Sequence, residues 1–278
     1  MQSNFLSPAE VAELVVGVGQ RKAEMSVTNQ LILSVMAGAF IAFGAAGSCV
    51  AVHTVESAGV AKALAGALFA AGLIMVVVAG GELFTGNSLM LMALAEGRIS
   101  LWQLLRSWLV VYAGNFAGAL LTAGLVCLSG QWGMSGGLLG ASVIKTAVGK
   151  TALSFRNAFF LGVLCNWLVC LAVWMSFAAR DIAGKVLVIF FPIWLFVTSG
   201  FEHSVANMYY IPAGILAAAE PALAGRAASV GLSPEALANL NWGAMLQANL
   251  LPVTLGNVVG GGVLVALAYW FVYRRDKR

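Results

Sequence analysis

Long stretches without any charged residue constrain this chain more than any other feature of its sequence. Seven stretches contain no Asp, Glu, Lys or Arg: 25–55, 63–81, 107–144, 157–179, 186–201, 203–219 and 236–273. A helix that spans the hydrocarbon core of a bilayer needs about 20 predominantly apolar residues, and several of these stretches reach that length. The sequence therefore predicts an all-α membrane protein that crosses the bilayer several times.

The amino-acid composition supports this class and excludes three others. Charged residues make up 9% of the 278 residues and hydrophobic residues 61%, whereas a soluble domain carries about 25% charged residues. A soluble enzyme, a secreted disulfide scaffold and a nucleic-acid binder are therefore excluded as first interpretations. All four cysteines lie within apolar stretches and lack metal-ligand spacing, so we expect buried thiols and no metal site.

Six membrane spans can be placed on the sequence, at about 28–52, 61–96, 102–128, 155–179, 186–219 and 245–273. The loops between them alternate between the two sides of the membrane. One side carries ten basic residues: Arg21, Lys22, Arg98, Arg106, Arg180, Lys185, Arg274, Arg275, Lys277 and Arg278. The other side carries five: Lys62, Lys145, Lys150, Arg156 and Arg226. Because cytoplasmic loops are enriched in Lys and Arg, both termini are predicted to be cytoplasmic.

The second and fifth spans are too long for one uninterrupted crossing, and each carries helix-weakening residues at its middle. Residues 78–87 read VAGGELFTGN and residues 198–207 read TSGFEHSVAN. Each segment has glycine, then a glutamate, then an asparagine five residues after the glutamate. Glycine lowers helix stability and allows the backbone to unwind, so we expect both spans to be broken helices.

The span that follows each break carries a matching motif, GNFAG at 114–118 and GNVVG at 256–260. Two matched motifs in the same order indicate that the chain consists of two related halves. Since each half has three spans, the second half must cross the membrane in the opposite direction to the first. The sequence therefore predicts an inverted repeat, an arrangement that places a substrate site near the bilayer midplane.

The inverted repeat has an electrostatic consequence for the midplane. The second part of each broken helix begins there, and a helix N-terminus carries roughly half a positive charge. Two such ends that converge on one point favour an anion and repel a cation. The sequence therefore indicates a pathway for a small anion.

Three segments carry a specific family resemblance: GELFTGN at 81–87, GVLCNWLVCLAVWMS at 162–176 and GFEHSVANMYYIP at 200–212. They resemble the formate–nitrite transporter family, and the resemblance covers nearly the whole chain. It implies an aquaporin-like fold with six transmembrane helices, of which helices 2 and 5 are broken, and a homopentamer with one pore per subunit. It also implies a small-anion substrate (formate, nitrite or hydrosulfide). The sequence contains no NPA motif, which argues against an aquaporin.

On this basis the chain is interpreted as a single transmembrane channel domain, residues 1–278, with both termini on the inner face of the cytoplasmic membrane. Its parts are a cytoplasmic amphipathic helix (1–27), the first three-helix repeat (28–128), an external loop (129–154), the second repeat (155–273) and a cytoplasmic tail (274–278). Ser7, Pro8 and Glu10 predict the start of the N-terminal helix. We interpret this helix as an interfacial anchor, with a gating role as the alternative.

The resemblance also assigns residues to the pathway. It implies that His203 is the central pore histidine and that Thr85 faces it, and an ionisable group at mid-membrane is usually functional. A polar network around the histidine is implied for Lys150, Asn166, Glu202 and Asn207. Constrictions are implied on the outer side for Phe69 and Phe196, and on the inner side for Leu73, Leu83 and Val169, with Phe84 a weaker inner candidate.

Several of these residues have a plainer interpretation from the sequence alone. Glu82 and Glu202 can accept hydrogen bonds from backbone N–H groups that the breaks leave free, and we favour this structural role. Lys150 lies in the predicted external loop, where a lysine is usually solvated. His53 is interpreted as solvated surface, and Ser204 as a helix cap.

The predicted function is a channel or transporter for small monovalent weak-acid anions, with formate as the first candidate. A bare anion in a medium of low dielectric faces a penalty of several kcal/mol, so a polar position between two apolar slits is expected to pass it paired with a proton. The ring of His203 is expected to be protonated there or to share its proton with the substrate. A nitrite channel is the first alternative, a hydrosulfide channel the second, and a non-transporting membrane scaffold the alternative of another class. No enzymatic activity, cofactor or nucleic-acid partner is predicted.

Overall fold

The computed structural model describes residues 5–275, and within that range it contains helices and no β-strand. Parts of two predicted segments, residues 1–4 of the N-terminal segment and residues 276–278 of the cytoplasmic tail, lie outside the described residues. The helices are α1 (Pro8–Glu24), α2 (Val27–Val52), α3 (Ala58–Gly80), α4 (Gly86–Ala95), α5 (Leu101–Leu128), α6 (Leu138–Thr151), α7 (Phe155–Ala178), α8 (Ile182–Thr198), α9 (Ser204–Ala218), α10 (Pro221–Ala224), α11 (Pro234–Ala238) and α12 (Trp242–Tyr273).

Five of these helices are long and apolar enough to cross a bilayer: α2, α3, α5, α7 and α12. Four of them, α2, α5, α7 and α12, match predicted spans, and α3 matches the first part of the predicted span 61–96, which also contains α4. The remaining predicted span, 186–219, forms the two shorter helices α8 and α9, of 17 and 15 residues. Each of these is shorter than the roughly 20 residues that one crossing requires.

The helical backbone is interrupted at the two predicted positions. In the first half, α3 ends in a π-helical turn at Gly80, which has a φ of +93°, and α4 begins at Gly86. In the second half, α8 ends at Thr198, Gly200 has a φ of +73°, and α9 begins at Ser204. Only glycine adopts positive φ without a steric cost, so these glycines fix where the backbone leaves the helix.

The N-terminal helix α1 packs against the protein rather than standing apart from it. Its start is the predicted capping box, in which Ser7 and Glu10 bind each other's backbone N–H groups, and the hydrogen bonds from the Ser7 side chain and backbone lower the pKa of the Glu10 carboxyl. Its apolar residues Val11 and Val15 are buried against α4 and α7. The apolar stripe that suggested an interfacial anchor therefore faces the helix bundle.

The segment 129–154, predicted as an external loop, contains the 14-residue helix α6. Residues Val143, Ile144 and Ala147 bury its inner face against α9. This helix was not predicted from the sequence, because its apolar pattern extends over only about four turns and polar and glycine-rich segments surround it. Lys150 consequently lies in the last turn of a packed helix and not in a solvated loop.

Several helices approach each other closely at glycine positions. A side chain at Gly118 of α5 would collide with the carbonyl oxygen of Val35 in α2, and one at Gly260 of α12 would collide with that of Val163 in α7. Small residues allow such backbone contact between membrane helices. These contacts hold α5 and α12 against the spans that begin each half.

Candidate functional site

Two cavities open between the helices, each beside one interruption. The Glu82 cavity has a volume of about 350 Å³ and is lined by Glu82, Gly86 and residues of α1, α3 and α7. The Glu202 cavity has a volume of about 180 Å³ and is lined by Glu202, His203 and residues of α2, α3, α6 and α8. His203 lines the Glu202 cavity, and Thr85 directly precedes Gly86, which lines the Glu82 cavity, so the boundary between the two cavities falls at Thr85 and His203.

The Thr85 and His203 side chains contact each other across this boundary. Thr85 Oγ1 and His203 Nε2 are 2.9 Å apart, and both residues are buried. The other ring nitrogen of His203, Nδ1, accepts a hydrogen bond from the Ala206 N–H at 3.0 Å. A nitrogen that accepts carries no proton, so the neutral ring has its proton on Nε2 and donates it to Thr85. The hydroxyl proton of Thr85 then remains available for a third group.

The same geometry shows that His203, and not Ser204, caps helix α9. His203 has extended backbone torsions and is the N-cap residue, whereas Ser204 is the first residue of the helix. The Ser204 Oγ is buried and has no hydrogen-bond partner among the described residues. The prediction that Ser204 serves as the cap is therefore wrong, because the imidazole already occupies that position.

A charged cluster borders the Glu202 cavity. Lys150 Nζ donates to one Glu202 oxygen at 2.8 Å, and Asn207 donates to the other at 2.6 Å. Asn249 of α12 also donates to Glu202 and accepts from Asn207. Three of the four residues predicted for the polar network are thus in contact. Asn249 was missed, although an asparagine in the uncharged stretch 236–273 was a visible signal.

A matching cluster borders the Glu82 cavity. Lys22 Nζ of α1 donates to Glu82 at 2.6 Å and to the Asn87 side chain at 2.9 Å, and Asn87 donates to the second Glu82 oxygen at 2.8 Å. The sequence had suggested that the carboxylates of Glu82 and Glu202 accept from backbone N–H groups, but among the described residues their donors are side chains. Each carboxylate is bound instead by one lysine and by asparagine.

The correspondence between Lys22 and Lys150 extends the sequence repeat beyond the motifs first recognised. Lys150 follows Lys22 by 128 positions, and the same offset relates Ser26 to Ser154 and Asn29 to Asn157. Both serines are N-caps that accept from the asparagine backbone N–H three residues later. Helices α1 and α6 are therefore corresponding elements of the two halves, a relation that the matching Lys, Ser and Asn could have indicated.

The asparagines of the two GN motifs hold the interruptions in the same way. Asn115 accepts from the Phe84 N–H and donates to the Glu82 and Ser34 carbonyls. Asn257 accepts from the Ser204 N–H and donates to the Glu202 and Gly162 carbonyls. Backbone groups that are left free by a broken helix need such partners when water is excluded. The four carbonyl contacts lie between 2.8 and 3.0 Å.

Asn166 is buried at the centre but belongs to a different contact set from that of Glu202. Its side-chain amide donates to the Thr85 and Asn257 carbonyls at 3.2 and 2.7 Å. The Cys170 thiol also donates to the Thr85 carbonyl. Asn166 therefore positions Thr85 and joins the first interruption to α12.

The predicted constriction residues divide into two groups. Phe69 and Phe196 line the Glu202 cavity with ring centroids 5.7 Å apart in an edge-to-face arrangement, while Leu73 and Leu83 line the Glu82 cavity. The other two predicted residues, Val169 and Phe84, line neither cavity. Phe84 packs edge-to-face against Trp108 and Tyr112 of α5, because Phe84 and Thr85 point in different directions from the unwound segment.

His53 is not a simple solvated side chain. Its Nδ1 lies 2.7 Å from the Val50 carbonyl oxygen and its Nε2 lies 2.8 Å from the Ser135 hydroxyl. It therefore ties the end of α2 to the turn before α6. Within residues 5–275, no three His, Cys, Asp or Glu side chains come together in a way that could hold a metal ion.

Proteins of known families are similar to this chain in sequence and in fold. The sequence profile of the formate/nitrite transporter family matches residues 9–271. The formate channel FocA of Escherichia coli (strain K12) is 40% identical over 98% of this chain and 96% of its own length. A probable formate transporter of Methanothermobacter thermautotrophicus is 37% identical over 99% of this chain and all of its own.

Solved structures agree with the sequence matches. A pentameric formate channel with formate bound superposes with a TM-score of 0.81 at 40% identity, covering 89% of this chain and 97% of that chain. An ion channel of the FNT family superposes with a TM-score of 0.77 at 29% identity, covering 95% of this chain and 98% of that chain. The matched sequence and the matched fold both extend over nearly the whole molecule, and this chain therefore belongs to the formate/nitrite transporter family.

Proposed function

We propose that this protein is a membrane channel that passes formate, a small monovalent weak-acid anion, through its centre. The observation that carries the proposal is the buried Thr85–His203 contact between two cavities, each of which ends in a lysine–glutamate pair. Burial of polar groups in an apolar bundle costs free energy, and such groups within membrane proteins mark substrate pathways. The similarity to formate channels supports formate as that ligand.

The geometry suggests how the pair acts on the anion. Because Nδ1 of His203 accepts from the Ala206 N–H, a second ring proton can enter only if this capping bond opens. The ring therefore stays neutral and orients Thr85, whose hydroxyl donates to the carboxylate. This refines the expectation that the ring is protonated or gives up its proton. The proton that accompanies the substrate through the apolar slits comes from solution by way of the cavities.

We propose six membrane crossings in an inverted, aquaporin-like repeat. The interrupted pairs α3–α4 and α8–α9 each form one crossing, and α2, α5, α7 and α12 form the others. The matched contacts of Asn115 and Asn257 support the repeat. The basic asymmetry supports cytoplasmic termini in the cytoplasmic membrane, which places the Glu82 cavity inside and the Glu202 cavity outside.

We further propose that five copies assemble around an axis, as in the pentameric formate channel to which the fold is similar. Large apolar side chains on α5 are exposed in the single chain and are available to lipid or to neighbouring copies: Leu101, Trp102, Leu105, Leu109, Leu121, Leu125 and Leu128. Trp108 of the same helix instead turns inward and donates to the Asn87 carbonyl. Each copy contains its own Thr85–His203 pair, so the pathway lies within a subunit.

The test is uptake of formate and nitrite into proteoliposomes that contain the purified protein. Wild-type protein should pass formate, and uptake should increase as the pH falls because protons from solution reach the anion in the cavities more often. Thr85→Val removes the donor hydroxyl at similar volume and should abolish most of the flux without loss of assembly. Nitrite uptake well above formate uptake would identify a nitrite channel, and an absence of both fluxes in folded protein would indicate a scaffold.

A further inference from the structure

We propose that Lys62 and Lys185 form a second pair of lysines that attract the anionic form of the substrate to the two mouths of the pathway. This role deepens the proposed function and rests on it. Lys62 lies at the rim of the Glu202 cavity and Lys185 lines the Glu82 cavity. Neither lysine has a carboxylate within 4.0 Å in the described part of the chain.

Lys62 occupies the outermost position on the pathway face of α3. Residues at helical spacing from it, Ala65 and Phe69, line the Glu202 cavity, and Leu73 lines the Glu82 cavity farther along. Its Nζ lies 3.7 Å from the point where a side chain on Gly200 would begin, and Gly200 also lines the Glu202 cavity. The ammonium group therefore lies beside Gly200, and Lys62 precedes Phe69 on the same face of α3.

Lys185 has the corresponding position on α8. It belongs to the first turns of that helix, and Ile189 and Phe196 follow it at helical spacing. Its Nζ donates to the Ser176 carbonyl at 2.9 Å, and both residues line the Glu82 cavity. The nearest acid along its own helix, Asp181, is engaged as the N-cap and accepts from the Gly184 N–H at 2.7 Å.

The lysines deeper in the cavities cannot supply the same field. Lys22 and Lys150 lie 2.6 and 2.8 Å from the carboxylates of Glu82 and Glu202, so each pair has almost no net charge at a distance. Lys62 and Lys185 have no such carboxylate partner among the described residues. Each lies near the N-terminal end of its helix, whose partial positive charge adds to that of the ammonium group.

An uncompensated charge at the mouth of a cleft raises the local concentration of the opposite ion and accelerates its association. Because the lysines act on the charged form, formate enters each mouth as the anion and joins its proton inside the cavity. The effect is an encounter effect. It should therefore alter the formate concentration needed for half-maximal flux while the maximal flux stays the same.

The experiment measures formate uptake into proteoliposomes over a series of formate concentrations, at low ionic strength and with added potassium gluconate. Lys62→Gln and Lys185→Gln should each raise the half-saturating formate concentration about two- to tenfold at low ionic strength. The difference should shrink near 0.15 M salt, where the Debye length is about 8 Å. Lys62→Arg and Lys185→Arg should restore wild-type values, because the charge is kept.

Matched controls are Lys145→Gln and Arg21→Gln, which remove an exposed charge from α6 and α1 without lining either cavity. If the Lys62 and Lys185 variants behave like these controls, or if their deficit is unchanged by salt, the steering role is overturned while the proposed function stands. If folded wild-type protein passes neither formate nor nitrite, the proposed function fails and the steering role fails with it.

Discussion

His203 combines two tasks that are usually given to different residues. Through Nδ1 it caps α9, which is the ordinary task of Ser, Thr, Asn or Asp, and through Nε2 it contacts Thr85. The repeat makes this plain, because the corresponding position in the first half is Leu83, which only lines a cavity. The buried imidazole that contacts Thr85 therefore has no counterpart at the matching position of the first half.

The two tasks of His203 can be separated by substitution. His203→Asn keeps a capping side chain but cannot reach Thr85, so the protein should stay within about 1 kcal/mol of wild-type stability while formate flux falls by about tenfold. His203→Ala should lose the cap as well and be less stable by about 1 kcal/mol. Thermal denaturation and flux, measured on the same preparations, check both effects. Wild-type flux in a stable His203→Asn protein would show that the ring serves only as a cap.

At the scale of helices, α1 and α6 are corresponding parts of the fold. Each brings one lysine to the glutamate of an interruption, and each is buried on its inner face. Arg274 of the C-terminal region also reaches α1, with its guanidinium 3.7 Å from Glu13. These contacts hold α1 against the helix bundle, as the corresponding contacts hold α6.

Loss of the Lys22 charge should therefore destabilise the protein as a whole. Lys22→Met leaves the buried Glu82 carboxylate without a cation, which costs 3–5 kcal/mol for a fully buried pair and about 1–3 kcal/mol here, because Lys22 is partly exposed. The double variant Lys22→Met/Glu82→Gln should recover most of the loss. Chemical denaturation of all three variants provides the measurement, and equal stability of Lys22→Met and wild type would contradict the role assigned to α1.

Close packing of α5 on α2 offers a second test at this scale. Gly118→Ala places a methyl group against the Val35 carbonyl and should destabilise the protein by about 1–3 kcal/mol or separate the two helices. Gly124→Ala is a matched control on the same helix, where a side chain would have nothing within 4 Å. The control should be neutral or slightly stabilising, because alanine has the higher helix propensity. Similar melting temperatures for the two variants would argue against a close α2–α5 contact.

For the whole molecule, the basic asymmetry and the inverted repeat make one joint prediction of orientation. In a background in which the four cysteines are replaced, Lys145→Cys should react with a membrane-impermeant thiol reagent only from outside the cell, and Arg98→Cys only from the cytoplasm. Labelling of position 145 only from the cytoplasm would reverse the assignment of both cavities.

The proposed assembly makes a separate prediction. Native mass spectrometry in mild detergent should give five copies of the 28.9 kDa chain.

Local features of the sequence were sufficient for the membrane class, for five long apolar helices and for the two positions at which the helical backbone is interrupted. Hydropathy over about 20 residues reflects the solvent that a helix meets, and glycine placement reflects backbone torsions at one position. Neither depends on distant parts of the chain. The capping box at Ser7, which the residues themselves predicted, is present in the structure. The contacts of Glu202 with Lys150 and Asn207, which the family resemblance implied, are present as well.

Only the tertiary structure decided which distant groups meet. Lys22 lies 60 positions before Glu82, Asn249 lies 42 positions after Asn207, and Phe84 turns to α5 and away from both cavities. The helix α6 was not predicted because its stability comes from burial against α9 and not from a strongly amphipathic sequence. Pairing of a buried charge depends on where whole helices pack, and a sequence pattern that is read one segment at a time does not contain that information.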